Sequence, residues 1–169
     1  CLFAKGSATA CGSICHVALR CCNSRMEGVR MEACGLLHRL MRTANEVNGH
    51  PGFTRVHLQM IISVSRLVSE LADLNSSRFQ ASLSFLNSLG QSDRSVPRSG
   101  NNFVEEVKDL TKRIRTVLMA TAQMKEHEHD PEMIVDLKYS LAQSYATTPA
   151  LRKTWLEGMA KVSQQGNKA

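Results

Sequence analysis

The sequence predicts an all-α protein, an armadillo- or HEAT-like array of about seven helices. Three observations support this fold class. Aromatic residues make up only 5% of the chain, whereas Leu, Met, Ala, Ser and Lys are frequent, and this composition favours helices over strands. Apolar residues recur at the i, i+3, i+4 spacing of amphipathic helices along most of the chain. Breaks that contain Gly, Asn or Pro separate these stretches.

Four helices are predicted in the first half of the chain. The breaker Asn48-Gly49-His50-Pro51-Gly52 should separate the second helix from the third, and Asn75 and Ser76 suit an N-cap role before the fourth. The predicted ranges are 8–22, 26–46 and 54–73, and Phe79, Leu83 and Leu86 mark a fourth, shorter helix. The predicted inward-facing residues are Cys11, Ile14, Cys15, Ala18, Leu19, Cys22, Val29, Ala33, Leu36, Leu37, Leu40, Met41, Val56, Met60, Ile61, Val64, Leu67, Val68, Leu71, Phe79, Leu83 and Leu86.

The segment GQSDRSVPRSGNN is the one predicted linker, because it is rich in Gly, Ser and Asn and has no apolar periodicity. We place the linker at 91–102 and a helical repeat region at 1–90. That region would hold two helical pairs of about 40–45 residues, the size of HEAT or armadillo repeats, which bury their apolar faces by stacking on neighbours.

Three further helices are predicted after the linker. A long helix should cover 103–127, with acidic residues early and Lys125 late, as the helix dipole favours. Asp130-Pro131-Glu132 has the sequence of a helix start, with Asp as N-cap and Pro at the first position. Thr148-Pro149 repeats that signal. The predicted buried stripes are Val107, Leu110, Ile114, Val117, Leu118, Thr121 and Met124, then Ile134, Leu137, Leu141 and Tyr145, then Leu151, Trp155 and Met159.

The cysteines are the first candidates for chemistry, because all six lie within the first 34 residues: Cys1, Cys11, Cys15, Cys21, Cys22 and Cys34. Together with His16 they could ligate zinc, but structural zinc sites need paired ligands on turns. Here the spacing is helical and most cysteines sit at apolar positions, which favours buried thiols. A secreted disulfide framework would spread its cysteines across the fold. No cysteine stands out as a catalytic nucleophile.

The run Glu126-His127-Glu128-His129-Asp130 is the densest ionisable cluster and could form a metal or acid/base site. It lacks the H-E-x-x-H spacing that puts two His on one helix face, so a solvated helix end is the preferred interpretation. No phosphate-binding glycine loop occurs. We therefore predict no catalytic residue, no cofactor site and no metal site, and no enzymatic activity of the chain itself.

The net charge of +6 raises the possibility of an anionic partner. Lys108, Lys112, Arg113 and Arg115 could face acidic lipid or protein, or simply solvent. They have no aromatic neighbours for base stacking, so we expect no nucleic-acid binding. No apolar run reaches about 18 residues, so we expect no membrane span. The only tryptophan, Trp155, is expected to anchor a core, with a partner-facing role as the alternative.

Two long and unusual runs of sequence are KRIRTVLMATAQMKEHE and DPEMIVDLKYSLAQSYATTPALRKTWL. They resemble, almost residue for residue, the start of the second dock-homology (DOCKER) region of a known family, the dedicator-of-cytokinesis (DOCK) guanine nucleotide exchange factors, in their zizimin subgroup. CLFAKGSA, RCCNS and SRFQASLSFLNS resemble the helical region upstream more loosely. The resemblance ends at Lys161. The expected domains are thus 1–90 upstream repeats, 91–102 linker, 103–161 start of the first lobe and 162–169 a divergent tail.

The resemblance implies a part in activating Rho-family small GTPases of the Rac or Cdc type. In that family the first lobe is a helical support that takes part in homodimerisation, while the second and third lobes grip the GTPase. This sequence corresponds only to the early first lobe, so the expected role is scaffold, without the catalytic surface. A stand-alone helical interaction scaffold without exchange activity is the alternative. The expected location is cytoplasmic, with membrane recruitment of a full-length parent possible.

Overall fold

The structure, a computed structural model, describes residues 8–70, 76–93, 102–145 and 149–166. Regular structure in these ranges is entirely helical, which confirms the all-α fold class. The helices are α1 (Ala8–Cys21), α2 (Glu27–Glu70), α3 (Ser76–Ser92), α4 (Phe103–Glu126), α5 (Pro131–Ser144) and α6 (Pro149–Gly166). The chain divides into two compact units, residues 1–115 and 116–169.

Helix α2 covers both the second and the third predicted helix, so the predicted end near residue 48 is wrong. The helix nevertheless bends. Cys34 contacts Cys22, and the Ser63 hydroxyl lies 3.4 Å from the carbonyl oxygen of Gly12. A straight helix would separate Cys34 from Ser63 by about 43 Å, whereas Gly12 and Cys22 are only about 15 Å apart along α1.

The bend in α2 has a chemical cause in the sequence between these contacts. Pro51 has no N–H to donate to the preceding turn, and an interior proline bends a helix rather than always ending it. Packing of the flanking residues keeps the helix continuous, because Ala44 and Phe53 are both buried. The two arms of α2, residues 27–47 and 53–70, therefore pack against α1 as a three-helix group.

Apolar side chains from four helices form the core of the first unit. Of the six residues predicted to face inward in α1 and directly after it, four are cysteine or alanine, and all four are buried. Ser82 of α3 donates a hydrogen bond to the carbonyl oxygen of Cys22, which ties α3 to the turn after α1. The largest enclosed side chains in this unit are Leu19, Leu37, Met41, Phe53, Met60, Ile61, Leu67, Phe79, Leu83, Leu86, Phe103 and Leu110.

Helix α3 and the first half of α4 run antiparallel within the first unit. Phe103 opens α4 and is fully buried, with its ring edge-to-face against Phe53 at 5.9 Å and against His38 at 5.8 Å. Such aromatic contacts add stability beyond the area that they bury. Three contacts set the antiparallel register. Arg115 donates to Gln80 at 2.9 Å, and Thr111 donates to Asn87 at 2.8 Å. Val107 packs against Gly90, where an added Cβ would lie 3.3 Å from the valine side chain.

In the second unit, α5 packs against α6. The side chain of Asp130 accepts a hydrogen bond from the backbone N–H of Met133 at 3.0 Å, and Pro131 follows it, so the predicted N-cap is confirmed. The Lys138 ammonium group donates to the carbonyl oxygen of Gly158 at 3.1 Å. Leu141, Ala142 and Tyr145 are buried, whereas the predicted stripe residues Ile134 and Leu137 are only partly buried.

Several predicted boundaries fall on or beside residues outside the described ranges. The predicted linker begins inside α3, since Gln91 and Ser92 are helical, and most of the remaining linker lies outside the described residues. The Asn75 and Thr148 caps lie outside them too. In the predicted tail, Val162–Gly166 continue α6. Helix α4 was predicted to end at residue 127, and it ends one residue earlier, at Glu126.

Candidate functional site

An apolar groove runs along the first unit between α1 and the first arm of α2. Its volume is about 970 Å³, within the usual range for ligand or peptide clefts. The lining is dominated by small and aliphatic side chains from the two helices. The residues that line it are Ser13, Ile14, Val17, Ala18, Cys21, Met26, Gly28, Val29, Glu32, Ala33, Gly35, Leu36 and Arg39.

Three large apolar side chains in this groove are exposed. Val17 is 61% exposed, Met26 69% and Leu36 49%. Leu36 was predicted to face inward, and that prediction is wrong. Its neighbour Leu37 is fully buried, so α2 directs Leu37 to the core and Leu36 to the groove. A grouping of exposed apolar side chains of this kind is typical of protein–protein contact surfaces.

The glycines of α2 widen the groove. A Cβ added at Gly28 or Gly35 would meet no atom within 4 Å. By contrast, a Cβ at Gly12 would lie 2.6 Å from the side-chain oxygen of Gln59, so the flexible Gln59 side chain would have to move to make room for it. An interior helical glycine costs about 1 kcal/mol relative to alanine. Gly28 is only the second residue of α2, but Gly35 is interior, and no contact within the described first unit accounts for that cost at Gly35.

Charged side chains on α2 border the groove. Glu32 and Arg39 are both exposed and lie two turns apart on the groove side of the helix. A partner would therefore meet an apolar floor with one acidic and one basic group on its edge. Grooves of this composition suit an amphipathic helix, whose apolar face fills the floor.

The cysteines predicted as buried thiols are placed as expected in most cases. Cys11, Cys15, Cys22 and Cys34 are buried, whereas Cys21 is partly exposed. They form two close pairs rather than one cluster. The Sγ atoms of Cys22 and Cys34 lie 3.8 Å apart, and the Cys11 and Cys15 thiols interact along α1. Cys1 lies outside the described residues.

Hydrogen bonds within each pair change the acidity of the thiols. The Cys15 thiol donates to a thiolate at Cys11 and lowers the pKa of Cys11 to about 7. In the second pair, the Cys22 thiol acts in the same way and lowers the pKa of Cys34, with smaller contributions from Ser82 and Arg30. The same hydrogen bonds, together with burial, raise the pKa of Cys15 and that of Cys22.

The charged run from Glu126 to Asp130 lies at the end of α4 and in the turn before α5, and every residue in it is exposed. His129 is 3.5 Å from the Glu128 carboxylate, and Asp130 serves as the N-cap of α5. Among the described residues, no three His, Cys, Asp or Glu side chains converge in the manner of metal ligands.

The basic residues of α4 are bound to polar groups of the same unit. The Arg113 guanidinium contacts Asp109 at 2.7 Å, and Lys108 contacts Glu105 at 3.6 Å. Arg115 donates to Gln80 and to Ser84 across α3. In the described part of the chain, no helix has the length and apolar character needed to cross a membrane.

A buried polar cluster in the first unit has no local sequence signal. His38 is largely buried, its Nε2 atom lies 3.5 Å from Asp93 Oδ2, and Arg42 approaches the same carboxylate at 3.5 Å. Burial lowers the pKa of His38, and Asp93 partly opposes that effect. The pairing of α2 with the end of α3 creates this cluster of His38, Arg42 and Asp93.

Burial, with the nearby Arg113, also lowers the pKa of His57 to about 4.

Trp155 is partly rather than fully buried. Its Nε1 atom is enclosed and has no hydrogen-bond partner among the described atoms.

A smaller surface depression of about 420 Å³ lies along α6, lined by Pro149, Arg152, Lys153, Leu156, Glu157 and Ala160. Among the described residues of the second unit, the buried apolar side chains are Val117, Leu118 and Ala120 at the end of α4, and Leu141, Ala142 and Tyr145 on and after α5.

Comparison with known proteins finds long matches to one group. The chain is 55% identical over 160 residues to dedicator of cytokinesis protein 9 of Mus musculus. The aligned region covers 95% of this chain and 8% of the relative. The chain is 54% identical over 157 residues to dedicator of cytokinesis protein 11 of Danio rerio, covering 93% and 8%. The chain belongs to the dedicator-of-cytokinesis family. A more distant DOCK relative, dedicator of cytokinesis protein 8 of Homo sapiens, is 34% identical over 151 residues, covering 89% and 7%.

A family model described as DHR-2, Lobe A matches residues 136–169 of this DOCK chain. The match includes part of α5 and all of α6. The chain spans about 8% of the length of the mouse and zebrafish relatives. No solved structure matches it. The domain limits at 90, 102 and 161, including the divergence of 162–169, remain predictions.

Proposed function

We propose that this chain is a scaffold segment of a guanine nucleotide exchange factor for Rho-family small GTPases of the Rac or Cdc type. The observation that carries the proposal is the 55% identity along 95% of the chain to mouse dedicator of cytokinesis protein 9. The DHR-2 Lobe A match over 136–169 supports it. In this role the chain contributes helical support and part of the first lobe, not the surface that grips the GTPase.

The identities favour the zizimin subgroup within the DOCK family. Proteins 9 and 11 are 55% and 54% identical to the chain, while proteins 6 and 8 are 38% and 34% identical. A difference of this size over nearly the same aligned length supports a common subgroup with proteins 9 and 11.

The packing of the first unit suits a supporting role. Exchange factors accelerate nucleotide release by binding the nucleotide-free GTPase more tightly than the loaded one. That preference requires a GTPase-binding surface held in a fixed geometry. The first unit suits the support of such a surface, because α2 and α4 are joined by the Phe53–Phe103 ring contact, and α3 and α4 by hydrogen bonds such as that from Thr111 to Asn87. We propose that the GTPase contacts other parts of the parent, which acts in the cytoplasm, forms homodimers and can be recruited to membranes.

A chimera tests the proposal. The 160 aligned residues of mouse dedicator of cytokinesis protein 9 are replaced by those of this chain, and release of fluorescent GDP from Rac- and Cdc-type GTPases is measured. We expect exchange close to that of the parent. In a matched chimera, Ile114→Pro should break the buried centre of α4 and reduce exchange. A chimera that folds, by its circular dichroism and melting, yet does not exchange would contradict the proposal.

The second candidate function is a helical interaction module that binds a protein partner without supporting exchange. The open groove between α1 and α2 favours it, because its apolar floor is exposed. The two functions differ in the chimera. Replacing Leu36 or Val17 by Asp should leave exchange unchanged if the groove serves a separate partner, and should reduce it if the groove packs within the exchange factor.

A further inference from the structure

We propose that Cys22 and Cys34 are a modification site, a dithiol that a hydroperoxide converts to a reversible intrachain disulfide. Their Sγ atoms lie 3.8 Å apart, close to van der Waals contact. Both residues are buried, at 3% and 1% exposure, so the two sulfurs meet inside the first unit and not through a chance encounter of surface side chains.

The two cysteines lie on different backbone elements. Cys22 lies just after the end of α1, and Cys34 is the eighth residue of α2, at the start of its third turn. The S–S distance must shorten from 3.8 Å to about 2.05 Å. One partner sits on a helix and the other in a short turn, so closure requires the side chains to rotate and the turn to shift.

We assign Cys34 as the attacking sulfur, because a lowered pKa favours its thiolate. The Cys22 thiol, the Ser82 side chain and the positive charge of Arg30 lower the pKa of Cys34 against the opposing effect of burial. The thiolate is the nucleophilic form of cysteine. The pKa of Cys22 is raised by the same hydrogen bond, so Cys22 keeps its proton and serves as the donor until the second step.

The reaction balances with the hydroperoxide as the only oxidant. The Cys34 thiolate attacks the terminal oxygen of the peroxide, an S–O bond forms, the O–O bond breaks and the departing oxygen takes up a proton. The Cys22 sulfur then attacks the sulfenic sulfur, forming the S–S bond, and the hydroxyl leaves as water with the Cys22 proton. The two thiols together lose the two electrons that reduce the peroxide.

Oxidation would change the link between the first helical group and α3. Cys34 now donates its S–H to the carbonyl oxygen of Ser82 at 3.3 Å, and a disulfide sulfur has no proton to donate. The Ser82 hydroxyl would still donate to the Cys22 carbonyl oxygen. The disulfide therefore removes one tie to α3 and adds a covalent tie between α1 and α2. Because both sulfurs are buried, the rate should be limited by local opening of the turn.

Peptide mapping tests the assignment. The folded chain is treated with hydrogen peroxide, remaining thiols are alkylated, and the protein is digested with trypsin without reduction. The cut sites place Cys21 and Cys22 on residues 21–25 and Cys34 on residues 31–39. We expect these peptides to be disulfide-linked, and the link to disappear on treatment with dithiothreitol.

Single variants identify the sulfur that reacts. Cys21→Ser should keep the link, whereas Cys22→Ser and Cys34→Ser should lose it. Cys22→Ala provides a second variant of small apolar volume, in case serine disturbs folding. Oxidised wild type should melt at a higher temperature than reduced wild type, and this shift should be absent in Cys34→Ser. A link that survives Cys22→Ala, or no link while Cys21 becomes oxidised, would overturn the proposal.

Discussion

Ser82 of α3 donates a hydrogen bond of 2.8 Å to the carbonyl oxygen of Cys22, in the turn that follows α1. Ser82 is itself buried, so water cannot replace the bond. The contact joins residues far apart in sequence and fixes α3 against the first helical pair. The stability of the first unit should therefore depend on this hydroxyl.

Ser82→Ala should lower the free energy of unfolding by about 1–3 kcal/mol, the cost of leaving a buried polar group without its partner. Ser88→Ala is the matched control, because Ser88 lies in the same helix and its hydroxyl donates to the backbone carbonyl oxygen of Ser84 at an exposed site. The control should change stability by less than about 0.5 kcal/mol. Denaturant unfolding measures both, and equal losses would contradict the assigned role of Ser82.

Phe103→Ala should lower the free energy of unfolding by about 3–5 kcal/mol, as expected for a fully buried aromatic side chain. The ring contacts Phe53 and His38 edge-to-face, so truncation leaves a cavity in the first unit. Met119→Ala in the same helix is the control, since Met119 is 63% exposed. Thermal melting of the two variants should differ clearly, and similar melting temperatures would refute the account of α4.

The N-cap of α5 gives a prediction for the second unit. Asp130→Ala should cost about 0.5–2 kcal/mol, because it removes the acceptor of the Met133 N–H. Asp130→Ser should keep most of the stability, since serine also caps helices well. Circular dichroism during melting follows the change. A loss in Asp130→Ser as large as that in Asp130→Ala would indicate that the carboxylate charge matters and the cap does not.

The stability of the chain should also depend on pH through His57. Its pKa is lowered from 6.5 to about 4 by burial and by Arg113, so the folded state resists protonation. The unfolded chain binds a proton below pH 6.5 and the folded chain only below about 4. Stability is thus complete above pH 6.5 and falls as the pH drops towards 4, by up to about 3 kcal/mol.

Denaturant unfolding at several pH values between 7.5 and 4 measures the His57 effect. His57→Gln removes the ionisable ring, so the variant should show a smaller loss of stability over the same interval. An identical pH dependence in wild type and variant would contradict the burial of His57 as its source.

Local chemistry explains why some elements could be predicted from the sequence. Asp130 and Pro131 specify a helix start through groups only three residues apart, and apolar spacing specifies the buried faces of α1, α3 and α4. The course of α2 could not be predicted, because Pro51 and its neighbouring glycines end a helix in isolation, whereas packing of Ala44 and Phe53 keeps it continuous. Here tertiary contacts override local preference.

The groove and the buried polar groups depend on tertiary contacts in the same way. Leu36 and Leu37 are adjacent and chemically identical, and only the packing of α1 decides which one is enclosed. The pairing of Cys22 with Cys34, and of His38 with Asp93, brings together residues on different elements. Periodicity along one helix contains no information about these partners.

If the chain supports an exchange factor as we propose, the isolated chain should not catalyse exchange. To test this, the isolated 169-residue chain is mixed at stoichiometric concentration with Rac- and Cdc-type GTPases loaded with fluorescent GDP. We expect release at the intrinsic rate of each GTPase, while the chimera described above accelerates release. Acceleration by the isolated chain would rule out the proposed role, because it would place a GTPase-binding surface within these helices.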